Sequence, residues 1–207
     1  MPSLDTFAAF FGVSVLLCLS PGPDNVFVLF QSALNGRRAG LSVVLGLCTG
    51  LLVHTAAVAL GLAALLATSE VAFSVLKLAG AVYLAWLAWQ AFRAPVGPVS
   101  GQAAPAGFWR MYRRGVVMNL SNPKVTVFFL AFLPQFVDPT RGAAGVQVLW
   151  LGAAFIAATL LVFGAIAWFS AGFGRVLQRS PGVQRGLNWA AGTVFLGLAA
   201  RLALAER

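Results

Sequence analysis

Two short stretches carry the residues whose types and spacing point to chemistry. One is SPGPDN, Ser20 to Asn25; the other is NLSNPK, Asn119 to Lys124. Each sets proline beside a charged residue, Asp24 or Lys124, within an otherwise apolar segment. Proline inside a helix removes a backbone hydrogen bond and costs about 3 kcal/mol or more. A charge at the centre of a bilayer costs roughly 2.5–3.5 kcal/mol on insertion scales. Both costs are tolerable only where the freed backbone and the charge face a partner or a wet interior.

The surrounding composition is that of a membrane protein. Sixty per cent of the 207 residues are hydrophobic, 9% are charged, and the mean hydropathy is +0.88. Thr6 to Leu34 carries only Asp24, and Ala39 to Ser69 and Gly142 to Gly174 carry no charge at all. A spanning helix needs about 20 apolar residues, so each run is long enough to cross. Six spans are expected: Leu4–Leu34, Leu41–Ala67, Val71–Phe92, Val116–Val137, Val146–Phe173 and Val183–Leu204. The first and fourth should be broken at the two proline motifs. The fold class is therefore an all-α integral membrane protein.

The net charge of +9 would suggest nucleic acid on a soluble protein. Here the basic residues sit in short loops between apolar runs, which argues against a nucleic-acid partner and sets an orientation instead. Arg37 and Arg38, then Arg93, Arg110, Arg113 and Arg114, then Arg175, Arg179 and Arg185 mark the cytoplasmic loops. Asp5, Glu70 and Asp138 mark the opposite side, with Lys77 and Arg201 near outward helix ends. Both termini then face the periplasm. The opening MPSLDTF lacks a basic region, so no cleaved signal peptide is expected. Ala94 to Gly107 reads as a flexible linker, and FWRMYRR, Phe108 to Arg114, as a membrane-surface segment with arginines suited to anionic lipid.

An internal repeat is visible. GAVYLAWLA, Gly80 to Ala88, aligns with GTVFLGLAA, Gly192 to Ala200. GPDNVFVLF, Gly22 to Phe30, aligns with NPKVTVFFL, Asn122 to Leu130, pairing Pro23 with Pro123 and Asp24 with Lys124. Two halves of three helices must have opposite orientation, which is the inverted-repeat plan of secondary transporters. The expected organisation is residues 1–93 as the first repeat, 94–115 as linker and interfacial segment, and 116–207 as the second repeat.

The expected substrate site gathers Pro21, Gly22, Pro23, Asp24, Asn25, Asn119, Asn122, Pro123 and Lys124 around the two breaks. A substrate ammonium would face Asp24 and the freed carbonyls. A substrate carboxylate would face Lys124 and a half-helix N-terminus, whose N–H groups carry partial positive charge. Asp24 could exchange a proton. The alternative, that Asp24 and Lys124 pair with each other, stays open. His54 is either a packing histidine or part of a proton path. Gly46 and Gly50 read as close-contact positions between helices. Gln31, Gln90 and Gln135 read as interfacial or solvated.

Other functions need residues the chain does not place well. A thiol-redox carrier needs a cysteine at both breaks, and only Cys18 lies near one; Cys18 and Cys48 read as small buried hydrophobes. A metal exporter needs clustered acidic, His or Cys ligands, and the membrane region offers Asp24 and His54. A receptor or structural protein has no use for two costly breaks. The reading is a transporter and not an enzyme, with no catalytic or metal-ligating set and no cofactor. Its partners are the lipid bilayer and a small amino acid, with a homo-oligomer left open.

SPGPDN with the following GRRAG, Gly36 to Gly40, NLSNPK with FFLAFLPQFVDP, Phe128 to Pro139, and GAVYLAWLA together resemble the lysine-exporter (LysE/RhtB) family. The resemblance implies export of amino acids or close derivatives across a bacterial inner membrane, driven by an ion gradient. It maps the family's motifs onto Pro21, Gly22, Pro23 and Asp24, and onto Asn122, Pro123 and Lys124. It does not fix which amino acid is carried.

Overall fold

The computed structural model describes residues 1–20, 22–68, 70–93, 107–170 and 180–204. The side chains of residues 62–68, 70–77, 187, 191, 194, 198, 201 and 202 are not among the described ones. Pro21, the 94–106 linker, Arg175 and Arg179 lie outside the described residues, as do the side chains of Glu70, Lys77 and Arg201.

Every regular element among the described residues is helical. Ser3 caps α1 (Leu4–Leu19), its Oγ accepting the Thr6 N–H at 3.1 Å. The helix stops where the proline-rich motif begins. Gly22 caps α2 (Pro23–Asn35), with Pro23 in the first turn, where its missing N–H costs nothing. The α1–α2 pair bends by 63°. Gly36, with φ of 83°, turns the chain directly into α3 (Arg37–Thr68). α3 thus starts at Arg37 rather than at Leu41 as expected, because the glycine turn supplies the whole connection. α4 spans Glu70–Arg93.

α5 (Phe108–Ser121) takes in the segment expected to lie along the membrane surface. Its aromatic and basic residues alternate with buried Met111 and Gly115, so it forms one helix with the expected fourth span. A 52° bend at Asn122 leads into α6 (Pro123–Val127). The helix then widens into a π turn over Phe128–Phe132, where the Leu133 N–H bonds the Phe128 carbonyl, and tightens to 3₁₀ at Leu133–Phe136. Pro134 has no N–H to continue the α ladder, which accounts for the change of pitch. A 3₁₀ turn at Pro139–Arg141, α7 (Ala144–Trp168) and α8 (Pro181–Leu204) follow among the described residues.

Among the described residues two helices, Arg37–Gly61 within α3 and Ala144–Trp168, are long and apolar enough to cross a membrane, and each bent pair qualifies if taken as one span. α4 and α8 have 24 residues each, a rise of about 36 Å. The surface is apolar as a membrane requires: Leu52, Val53, Leu60, Leu149, Leu161, Val82 and Leu196 are all exposed. Each of the six tryptophans is exposed as well, and Arg37 and Arg93 lie over the rings of Trp168 and Trp89. Amphipathic rings of this kind gather at membrane interfaces.

α3 packs along α5 and α7, α1 along α7, and α4 along α8. Close approach is permitted by glycine. A Cβ on Gly46 would meet the Tyr112 carbonyl, and one on Gly115 would meet the Val43 carbonyl, so α3 and α5 touch backbone to backbone. Gly50 lies against Asn119 one turn further on, which makes α3 and α5 parallel. Gly152 lies against Thr55, and Gly40 against Ala167, which makes α3 and α7 antiparallel. Phe10 packs on Phe136, two residues before the Asp138 that Gln147 holds at the start of α7, while Cys18 meets Thr159 further along, so α1 runs parallel to α7. α1 and α5 therefore begin at opposite ends. Arg37, Arg38, Arg110, Arg113 and Arg114 gather at one end. Asp5 and Asp138 line one surface groove at the other, where the N-terminal ammonium donates to the Arg141 carbonyl. There the Thr140 hydroxyl and backbone N–H bond the exposed Asp138 carboxylate and hold its pKa below the usual range.

Candidate functional site

The break before α2 frees the carbonyls of Leu17 to Ser20, and three of the four find a side-chain partner. Leu17 would have been bonded by the N–H that Pro21 lacks; its carbonyl accepts from the Lys124 ammonium at 3.1 Å. The Ser20 carbonyl accepts from the same ammonium at 3.2 Å. The Cys18 carbonyl accepts from Asn25 Nδ2 at 2.6 Å. Buried backbone groups are nearly always satisfied, and here the second half of the chain does part of that work for the first.

The reverse also holds. Asp24, 5% exposed, accepts through Oδ2 from Asn122 Nδ2 at 2.9 Å. Asn122 Oδ1 accepts the Lys124 N–H at 3.1 Å and so caps α6. The Asn119 carbonyl, deprived of a partner by Pro123, accepts from the Asn122 N–H at 3.1 Å and lies 3.5 Å from His54 Nε2. His54 also packs on Phe129, with ring centroids 5.6 Å apart.

Asp24 and Lys124 do not form an ion pair. A cation in the first turn of a helix opposes the helix dipole, and Lys124 turns instead to the carbonyl end of α1. Its ammonium also lies 5.7 Å from the centroid of Phe195 in α8.

Gly22, Asp24, Asn25, Asn119, Asn122 and Lys124 all line one cavity of about 20 Å³, with Leu17, Cys18, Val125, Phe155, Thr159 and Phe163 completing the wall. That volume holds about one water, too little for an amino acid. On the Asp138 side, fully buried Phe10, Phe128 and Phe132 pack in tilted and edge-to-face contacts with Phe136 and Phe155. Four buried oxygens around the breaks have no partner: Ser20 Oγ, Asp24 Oδ1, Asn25 Oδ1 and Asn119 Oδ1.

The structure thus brings together six of the nine expected residues; Pro23 and Pro123 shape the breaks without lining the cavity, and Pro21 lies outside the described residues. His54 stands behind Asn119 rather than in the cavity wall. Gly46 and Gly50 are the close-contact positions expected of them. Gln31, expected at an interface, is buried and accepts from Asn35 at 2.8 Å. The sequence reading missed Thr159, which meets Cys18 Sγ at 3.6 Å, and Gln147, which ties Asp138 and Gly142 together at the far end. Both are polar residues in the charge-free run of α7, and that was the available signal. Cys18 and Cys48 are buried and free. Among the described residues no group of three or more His, Cys, Asp and Glu side chains could hold a metal.

An all-helical chain with an apolar exterior and a charged seam between two helix breaks has the form of a membrane translocator. Residues 15–206 match the LysE type translocator family, and the chain belongs to that family. It is 35% identical over 202 residues to a homoserine/homoserine lactone efflux protein of Salmonella typhi, covering 96% of each chain. It is 34% identical over 210 residues to an uncharacterized membrane protein of Vibrio cholerae, covering 98% of each. A leucine efflux protein of an Enterobacter strain is 29% identical over 191 residues, covering 90% of each. No solved structure matches the chain. Membership supports amino-acid export at the level of the family.

Proposed function

We propose that the protein is a secondary active transporter that exports amino acids or close derivatives across the bacterial inner membrane in exchange for protons. The observation that carries this reading is the cross-bracing of the two breaks: the second half's Lys124 sits on the first half's carbonyls, and the first half's Asp24 sits on the second half's Asn122. Bonds that join two halves through buried charge are suited to being made and broken as the halves rock about a central site.

Six spans in two inverted repeats fit the packing. Exchange of the two halves maps the parallel α3–α5 contact onto the parallel α7–α1 contact, and the α3–α7 and α4–α8 contacts onto themselves. In this arrangement residues 1–93 and 116–207 are the repeats, the basic end is cytoplasmic, and both termini are periplasmic. The phenylalanine layer then closes the periplasmic side, and export requires Phe128 and the π turn to part from Phe10 and Phe155.

Coupling follows from competition at one carboxylate. Asp24 holds either a proton or the substrate, so a proton entering from outside expels the cargo, and fresh cargo expels the proton inward. His54 stands behind Asn119, which carries no proton itself, so His54 would exchange protons with Asp24 through water that enters as the site opens. Chemistry of this kind requires neither a cofactor nor a covalent intermediate.

The test is efflux from proteoliposomes holding the purified protein and loaded with labelled homoserine or leucine. A pH gradient, acidic outside, should accelerate loss of at least one of them, and a protonophore should abolish the acceleration. Efflux of neither, or efflux indifferent to the gradient, would contradict export or coupling respectively.

A further inference from the structure

We infer that the start of α5 is a binding site for an anionic phospholipid: Arg110 and Arg113 take the headgroup phosphate, and the apolar strip beyond them takes an acyl chain. The site lies apart from the two breaks and does not depend on what the protein carries.

Trp109, Arg110 and Arg113 line an open cleft of about 470 Å³ at the basic end of the molecule. Three neighbouring arginines are already placed over rings. Arg37 lies 4.8 Å from the centroid of Trp168, Arg93 3.8 Å from that of Trp89, and Arg114 4.7 Å from that of Phe27. Among the described residues neither Arg110 nor Arg113 has an ion-pair, hydrogen-bond or ring partner for its guanidinium.

The chain has little with which to neutralise them. It holds five acidic residues. Asp5 and Asp138 line the groove at the opposite end, and Asp24 is buried between the breaks. Glu70 opens α4, across the membrane from the start of α3, and Glu206 follows α8 beyond the described residues. Residues 94–106, which lead into α5, contain no Asp or Glu. The counter-charge for this end therefore comes from outside the chain.

The surroundings of the two arginines decide what kind of anion fits. Guanidinium forks match phosphate oxygens in shape as well as charge. Trp109 is 68% exposed beside them, and such a ring belongs at headgroup level. Arg110, Arg113, Val117 and Leu120 follow one another at intervals of three, four and three residues, which sets them along one face of the helix. Val117 and Leu120 are 64% and 40% exposed, whereas Met111, Gly115 and Asn119 on the opposite face are buried. From Arg113 to Leu120 the strip runs about 10 Å. A basic head continuing into an apolar strip of that length matches a phospholipid; a soluble phosphate has no use for the strip. The sequence suited Arg110, Arg113 and Arg114 to anionic lipid alike, and the structure separates them, because Arg114 is turned onto Phe27. α5 is fixed to α3 by the 2.9 Å bond between Tyr112 and Thr49 and by the contacts at Gly46 and Gly115. A headgroup held at its start thus anchors the helix that ends at the second break.

The experiment uses the full chain purified in detergent and titrated with phosphatidylglycerol or with phosphatidylcholine of the same acyl chains. Native mass spectrometry reads the affinity of the first lipid bound. The parent should prefer phosphatidylglycerol by at least about tenfold, the effect expected of two interfacial basic residues. Arg110→Gln/Arg113→Gln, checked for monodispersity and an unchanged Tm in phosphatidylcholine, should bring the preference to within about twofold of unity. Arg37→Gln/Arg38→Gln removes the same charge from the same end and should keep the preference. No preference in the parent, or a preference that survives Arg110→Gln/Arg113→Gln, would overturn the site. Equal loss in the two double variants would show a diffuse surface charge and overturn it as well. Glycerol 3-phosphate has the headgroup phosphate without the chains; displacement of phosphatidylglycerol by it at comparable concentration would assign the arginines to a soluble phosphate and overturn the lipid.

Discussion

Replacing Asn122 by alanine removes two bonds at once. The first is the 2.9 Å bond from Nδ2 to the Asp24 carboxylate; a hydrogen bond to a charged group is worth about 1.5–3 kcal/mol. The second is the 3.1 Å cap from Oδ1 to the Lys124 N–H; loss of such a cap costs typically about 1 kcal/mol. Asp24 is left with both oxygens unpaired in a site where it is 5% exposed, so relief by water is slight. The sum is about 2.5–4 kcal/mol. For a chain of this length each kcal/mol corresponds to roughly 2–4 °C in Tm, so a fall of about 5–15 °C is expected. Thermal unfolding of the detergent-purified protein, followed by size-exclusion fluorescence, measures it. Asn122→Asp separates the two bonds, since it keeps the cap acceptor and loses the donor to Asp24. It should lose at least as much as the alanine variant because it sets a second carboxylate against the first. If Asn122→Ala unfolds within about 2 °C of the parent and exports normally, the proposed bracing between the breaks is not a working contact.

Three further outcomes follow from the same geometry. Asp24→Asn should express normally yet lose acceleration of efflux by a pH gradient; gradient-driven export by this variant would remove Asp24 from the coupling step. Gly46→Leu drives a side chain into the backbone of α5 at Tyr112 and Val116. It should destabilise by about 1–3 kcal/mol or more, as overpacking does, and a normal elution profile and Tm would contradict the backbone contact. Cysteines introduced at the exposed positions Arg38 and Thr140, in a chain lacking Cys18 and Cys48, should react with an impermeant maleimide from opposite sides of the membrane. Labelling from one side would refute the orientation.

The breaks were legible in the sequence because proline's missing N–H is a local fact that no packing can restore. The inward placement of buried Asp24 and half-buried Lys124 was legible because charge is rare in such segments. Where the Lys124 ammonium goes was not: its partners are carbonyls about a hundred residues away, and carbonyls carry no sequence signature. For the same reason the choice between an Asp24–Lys124 pair and a substrate role was open from the sequence, whereas the structure gives each charge a different partner. The start of α5 was misplaced because tryptophan and arginine suit a membrane surface as well as a helix that ends there. The π turn at Phe128–Phe132 had a cue in Pro134, but the aromatic run on either side of it reads equally well as a plain apolar helix. Thr159 and Gln147 went unused because a lone polar residue in an apolar run is ordinarily a packing residue, and only the neighbouring helix shows otherwise.

The central claim is that cargo binds between the two breaks, and Cys18 reports on that place directly because it lines the cavity beside Asp24 and Thr159. The measurement is the rate at which N-ethylmaleimide alkylates Cys18 in the Cys48→Ala protein, with and without amino acids that the same preparation exports. Exported compounds should slow the alkylation in a saturable way, with half-protection at the concentration that half-saturates efflux, while compounds that are not exported should have no effect. Alkylation at an unchanged rate under saturating, exported cargo would place the cargo elsewhere and contradict the account.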